Sequence, residues 1–161
     1  MPIPEFIREL RALVGHRQLL LPGVTAVVLD DDNRVLLNRR ADNGRWSLIG
    51  GISEPGEQPA ETAVREVLEE TGVRAVAERV VLVQTIKPVL YPNGDRCQYV
   101  DITLRCRAVG GEAHVADDES LEVAWFGMDE LPELGGHGQL RLKHALSEGP
   151  TWFEPAGPPE E

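Results

Sequence analysis

Apolar positions along the chain change period several times, and each change marks an element. Ile3, Phe6, Ile7, Leu10, Leu13 and Val14 recur at helical spacing, so residues 3–15 are predicted to form an amphipathic helix. Its apolar face serves either as a lid on the core or as a homodimer contact. Val24–Leu29 is an apolar, β-branched run, Asp30-Asp31-Asp32-Asn33 a turn, and Arg34–Arg39 alternates into a second strand, which together read as a hairpin. Trp46–Ile49 reads as a short strand leading into Gly50-Gly51, and a helix follows, with Pro59 suited to its first position and Gly72 to its stop. Val80–Lys87 is a strand, Tyr91-Pro92-Asn93-Gly94-Asp95 a turn of the Asn-Gly type, and Gln98–Ala108 a long returning strand broken by Gly110-Gly111. Val123–Phe126 is a further strand, Met128-Asp129-Glu130-Leu131-Pro132 a helix start, and residues 138–147 a final short helix. This order predicts an α/β fold, a mixed sheet with helices on both faces. It divides into an N-terminal helix over 1–18, a body over 19–147 and a loose Pro- and Glu-rich tail over 148–161, in which Trp152-Phe153 is a docking candidate.

The helix before Gly72 carries Arg65 followed by Glu66, Glu69 and Glu70. At i,i+3 and i,i+4 spacing, the three carboxylates share an arc of about 100° on one side. Three like charges so close repel one another by a few tenths of a kcal/mol per pair on an exposed helix. A hard divalent cation such as Mg²⁺ takes oxygen ligands and turns that repulsion into binding. An acidic run is more often just a solvated face, so the surroundings decide. Ala60, Ala63, Val64, Val67 and Thr71 form a stripe roughly 120° from Glu66, which lets one side pack on a sheet while the carboxylates face a cleft.

Residues 51–73 meet the pattern G-x5-E-x7-R-E-U-x-E-E-x-G-U, with U a bulky aliphatic, at Gly51, Glu57, Arg65, Glu66, Val67, Glu69, Glu70, Gly72 and Val73. On these residues the chain resembles the Nudix hydrolases, in their MutT-like and ADP-ribose pyrophosphatase-like branches. The resemblance covers roughly residues 20–147 and implies an α/β/α sandwich. It implies cleavage of a nucleoside diphosphate linked to another moiety, X, by water attacking phosphorus. Metal would polarise phosphoryl oxygens and acidify bound water. The resemblance assigns Glu66, Glu69 and Glu70 as ligands of Mg²⁺, with Mn²⁺ the alternative, joined by a backbone carbonyl of Gly50 or Gly51. Glu66 is alternatively the general base. Arg65 and Glu57 form a brace that orients the loop. A further ligand or base is expected before Trp125, in Asp117–Glu122, with Glu119 first and Glu122 second. Ile49 stands where the family commonly has proline, so the entry to this loop lacks that stiffening.

Substrate contacts are expected from Arg39, Arg40, Arg45 and Lys87, of which one would hold the diphosphate. Trp46 or Tyr91 would stack on a base. His16, His114, His137 and His144 show no metal spacing.

Composition narrows the partners. At 161 residues, with 42% hydrophobic and 27% charged content, the chain is one ordinary globular domain. No apolar run approaches the roughly 18 residues of a membrane span, and the opening MPIPEFIREL lacks the basic-then-apolar order of a signal peptide. A formal net charge of −11 disfavours nucleic-acid polymers, RNA decapping included, and suits an anionic substrate only if metal supplies positive charge. Cys97 and Cys106, an odd separation apart, fall on opposite faces of a strand and read as packing residues in a reducing, cytoplasmic compartment. The expected substrate is a small nucleotide, ADP-ribose-like or a (d)NTP, including oxidised forms. The competing classes are a catalytically silent nucleotide sensor and isoprenoid diphosphate chemistry on the same fold.

Overall fold

In a computed structural model, which describes residues 3–157, the chain folds as three layers, helices on either side of one sheet. The elements in chain order are α1 (Glu5–Val14), β1 (Leu19–Leu29), β2 (Val35–Arg40), β3 (Trp46–Ser47), β4 (Ile49–Ile52), α2 (Pro59–Thr71), β5 (Arg74–Thr85), β6 (Val89–Leu90), β7 (Arg96–Gly110), β8 (Ser120–Phe126), α3 (Gly136–Leu146) and β9 (Trp152–Phe153). The main path of the sheet runs β3-β2-β1-β7-β5-β9. Its centre is the parallel pair β1 and β7, in register from Leu19 opposite Cys97 to Leu29 opposite Arg107.

Side-chain alternation along β1 assigns the two faces. Val24, Ala26 and Val28 pack with Leu36, Leu104 and Cys106 beneath Ala63 and Val67 of α2. Val27 and Leu29 pack with Val35 and Leu37 beneath Leu142 and Ala145 of α3. Near the start of β1, Ile7 of α1 closes over Leu21 and Cys97. Strands buried on both faces explain the near-continuous apolar runs at 24–29 and 35–37.

Several elements depart from the sequence reading, each for a physical reason. β1 and β2 do not form an extended hairpin: only Leu29 and Val35 pair across the turn. β4 takes the edge of β1 from Gly23 to Ala26, so β2 ladders with β8 instead. The strand expected over Trp46–Ile49 is two strands on two partners, β3 on β2 and β4 on β1, broken at Leu48. Met128–Pro132 is a turn closed by Glu130 N–H donating to Gly127 O at 3.1 Å, with no helix; Pro132 disfavours the helical conformation at the residue before it. The tail is partly tied down, since Leu82 and Val83 of β5 pair with Trp152 and Phe153, and His144 stacks on Trp152 at 5.3 Å. Residues 158–161 of the expected tail lie outside the described residues. The cysteines fall as expected, both buried, free and in separate clusters. α1 is a lid through Ile7, while Leu13 remains exposed. No helix among the described residues is long and apolar enough to cross a membrane.

Candidate active site

α2 is defined tightly at both ends. Gln58 and Glu61 form a capping box in which each side chain meets the other's backbone, Pro59 begins the helix, and Gly72 ends it at φ 71°. The positive φ favours glycine there, and a Cβ would also push aside the exposed His114 ring.

Between these ends, Arg65 organises the acidic residues. Its Nε and Nη2 donate to Glu57 Oε1 and Oε2 at 2.6 and 3.0 Å, a two-pronged bond that ties the loop before α2 to the helix. The expected brace is therefore present. Arg65 hydrogen bonding holds the Glu57 carboxyl at about 2, and the same bonds raise the guanidinium. Glu57 thus stabilises the fold above its ordinary carboxylate range, and that contribution fades as pH falls from 4.5 through about 2. Glu57→Gln should melt below the parent at pH 6, with the gap closing towards pH 2.5; a constant gap in thermal denaturation would remove the linkage.

The three carboxylates of α2 are arranged differently from the sequence expectation. The face expected to meet a cleft is partly buried, with Glu66 1% and Glu70 5% exposed; of the expected packing stripe Ala63, Val67 and Thr71 are buried, Val64 is half-buried and Ala60 is exposed. Arg65 Nη1 sits between Glu66 Oε1 and Glu69 Oε2, at 2.8 and 3.2 Å. Among the described residues, no three His, Cys, Asp or Glu side chains gather closely enough to hold an ion as they stand. The three share a helix side without converging. Burial raises the Glu66 carboxyl, opposed by Arg65. Glu70 is pushed up to about 8, by burial first and then by the charges of Glu66 and Asp117.

Chemistry nevertheless fits a hard cation. Glu66 Oε2, Glu69 Oε1 and Glu70 Oε1 carry no hydrogen bond among the described residues. Gly50 of β4 lies so close to β1 that a Cβ would stand 2.5 Å from Val24 O, which keeps that backbone accessible only to glycine.

The sequence reading missed Asn38, the buried centre of this site. Its Nδ2 donates to Glu70 Oε2 at 2.7 Å and Ser120 Oγ at 3.2 Å, while Oδ1 accepts from Ser47 Oγ at 2.7 Å. The available signal was one amide closing the apolar run Val35-Leu36-Leu37.

A cavity of about 630 Å³ opens on the α1 and α3 face. Gly50, Gly51, Arg40, Trp46, Tyr91 and Glu119 line it, but none of the α2 carboxylates does. Of the expected substrate contacts, Arg40, Trp46 and Tyr91 are thus brought together. Arg39 is not: its Nε lies 2.6 Å from Glu122 Oε2, and neither residue of that pair lines the cavity. Arg45 and Lys87 are exposed and outside it. Arg40 is held in a fork by Asp42 at 2.9 and 2.6 Å.

Residues 19–146 match the NUDIX domain, and the chain belongs to that family. By class it is a Nudix-type pyrophosphatase. A "MutT-like protein" of Streptomyces ambofaciens is 39% identical over 125 residues, spanning 77% of this chain and 75% of that one. A "Putative 8-oxo-dGTP diphosphatase" of Bacillus subtilis is 32% identical over 111 residues, 68% of each chain. The solved ADP-ribose pyrophosphatase of Streptococcus suis superposes with a TM-score of 0.62 at 27% identity, over 84% of this chain and 98% of that one.

Proposed function

We propose that this chain hydrolyses the diphosphate linkage of a small nucleoside diphosphate-X compound with Mg²⁺, or Mn²⁺ in its place. ADP-ribose-like compounds and (d)NTPs, oxidised ones included, are the candidate substrates. One observation carries the reading: an intact Arg65, Glu66, Glu69 and Glu70 set on α2, which packs on β4, where Gly50 and Gly51 line a cavity of about 630 Å³. Glu66, Glu69, Glu70 and a carbonyl of Gly50 or Gly51 would hold the cation, which neutralises diphosphate charge and acidifies water. Arg65 keeps the loop and helix in register through Glu57, and Asn38 fixes the orientation of Glu70. Glu119 lines the cavity wall, which supports a role as a further ligand or as the base, for which Glu66 is the alternative. Arg40 and Trp46 or Tyr91 would contact phosphate and base. Two buried free thiols support a reducing, cytoplasmic setting, and the charge of −11 supports a small-molecule substrate.

One feature favours the silent nucleotide sensor: Arg65 Nη1 already supplies positive charge between Glu66 and Glu69. Purified protein incubated with Mg²⁺ and a panel of nucleotide sugars, dinucleotides and triphosphates separates the two. Product release that EDTA abolishes is expected; tight nucleotide binding without turnover across the panel would install the sensor. In the same assay, near-parental turnover of Glu119→Gln would remove that residue from the chemistry.

A further inference from the structure

Three arginines line the cavity, and two of them are already engaged. Arg11 directs Nη1 to the carbonyls of Gly15 and Arg17 and Nη2 to Arg96 O and Cys97 Sγ, at 2.5 to 3.1 Å. Arg40 is closed onto Asp42 through Nε and Nη2. Arg141 of α3 differs. It bonds through Nε alone, to Asp101 Oδ2 at 3.1 Å, and both terminal nitrogens lack a partner among the described residues.

The anchor is rigid. Asp101 is buried, and its carboxylate also accepts Thr25 Oγ1 at 2.7 Å and Thr103 Oγ1 at 2.8 Å. The guanidinium plane is therefore oriented before any ligand arrives, and only its outer edge is open. Space has been left around it. Gly138 lines the wall on the helix side, and Gly23 lies opposite, where a Cβ would come within 3.3 Å of Tyr99 and 3.7 Å of Asp101. Tyr99 and Tyr91, hydroxyls 2.7 Å apart, supply aromatic surface in the same cavity.

Strand register sets the distance to the hydrolytic end. Gly50 faces Thr25 across β4 and β1, and Asp101 stands on β7 at the other side of β1. Two strand spacings, with a two-residue offset because Asp101 pairs with Gly23, put the Asp101 anchor roughly 12 Å from Gly50. A diphosphate at Gly50-Gly51 is out of reach of a group held there, and the interval is what a ribose places between diphosphate and base. A guanidinium edge offers donors only, so it matches two adjacent acceptors. Guanine presents O6 and N7 together, whereas adenine sets an amino donor beside N7.

We propose that Arg141, held by Asp101, is a specificity-determining residue of this site, selecting nucleotides with a guanine-type base over adenine-type ones. The inference rests on the nucleotide-hydrolase reading above, but its test does not need turnover. GMP and AMP are titrated calorimetrically in EDTA against the parent, Arg141→Lys and Arg141→Gln, with melting curves recorded for all three. The parent should prefer GMP by tenfold or more, and Arg141→Lys, which keeps the charge but not the fork, should bring the ratio close to one without weakening AMP. A parental ratio below about threefold, or an unchanged ratio in a folded Arg141→Lys, overturns the proposal. If Arg141→Gln fails to fold, the parental ratio and the lysine variant still decide. A preserved GMP preference in a parent that hydrolyses no panel member sinks the hydrolase reading and leaves the base selection standing.

Discussion

Glu66→Gln is expected to yield a folded protein at least as heat-stable as the parent, with turnover lower by on the order of 10³-fold. Both halves follow from one fact: the Glu66 side chain is 1% exposed, and burial disfavours its charge more than Arg65 favours it. Glutamine is close to isosteric and its Oε1 can still accept from Arg65 Nη1, now 2.8 Å from the carboxylate. Removing the charge relieves desolvation, so stability holds or rises. A neutral amide is a poor cation ligand and no base, so catalysis is lost whichever role Glu66 has. The pair of measurements is a melting curve and kcat on the best panel substrate. Turnover within tenfold of the parent would remove Glu66 from the site, and a melting point several degrees lower would show that its charge supports the fold.

Gly50→Ala should both destabilise the protein and stop turnover. Its φ is not in the left-handed region, so no backbone strain is involved. The effect is steric: a Cβ would stand 2.5 Å from Val24 O and 3.2 Å from Thr25 Cα. Those are backbone atoms of the central strand and cannot rotate away, so β4 must lift off β1. Overpacking of this kind costs about 1–3 kcal/mol, or about 2–4 °C of melting temperature per kcal/mol in a chain this size. The carbonyls of Gly50 and Gly51 move with β4, which takes the proposed oxygen ligands away from α2. Gly136→Ala is the matched control. Nothing lies within 4 Å of its added Cβ, and alanine suits the start of α3 better, so it should melt at or above the parent. A Gly50→Ala protein melting within a degree of the parent would show that the approach of β4 to β1 is not tight.

Local patterning decided the elements that contain their own information. α2 could be read end to end because Pro59 and Gly72 act within a turn or two of the chain, and so could the bond of Glu57 to Arg65 eight residues away. Partner choice was not legible in the same way. The turn at Asp30–Asn33 was recognisable, yet whether β2 would lie against β1 depended on β4 competing for the same edge. Arg39 and Arg40, adjacent in sequence, diverge to Glu122 and Asp42, and only the second reaches the cavity.

The sequence by itself determined the family, the helix that carries the carboxylates and the glycines beside it, because each rests on residue types at short spacing. Tertiary structure decided how those carboxylates are electrostatically tuned, through burial against Asn38 and the wedge of Arg65 Nη1. It also decided which residues face the cavity. Arg141, Asp101 and Thr25 come from α3, β7 and β1, 116 residues apart at the extremes. Contacts over such separations are set by sheet order and strand register, and no short-range spacing along a chain encodes them.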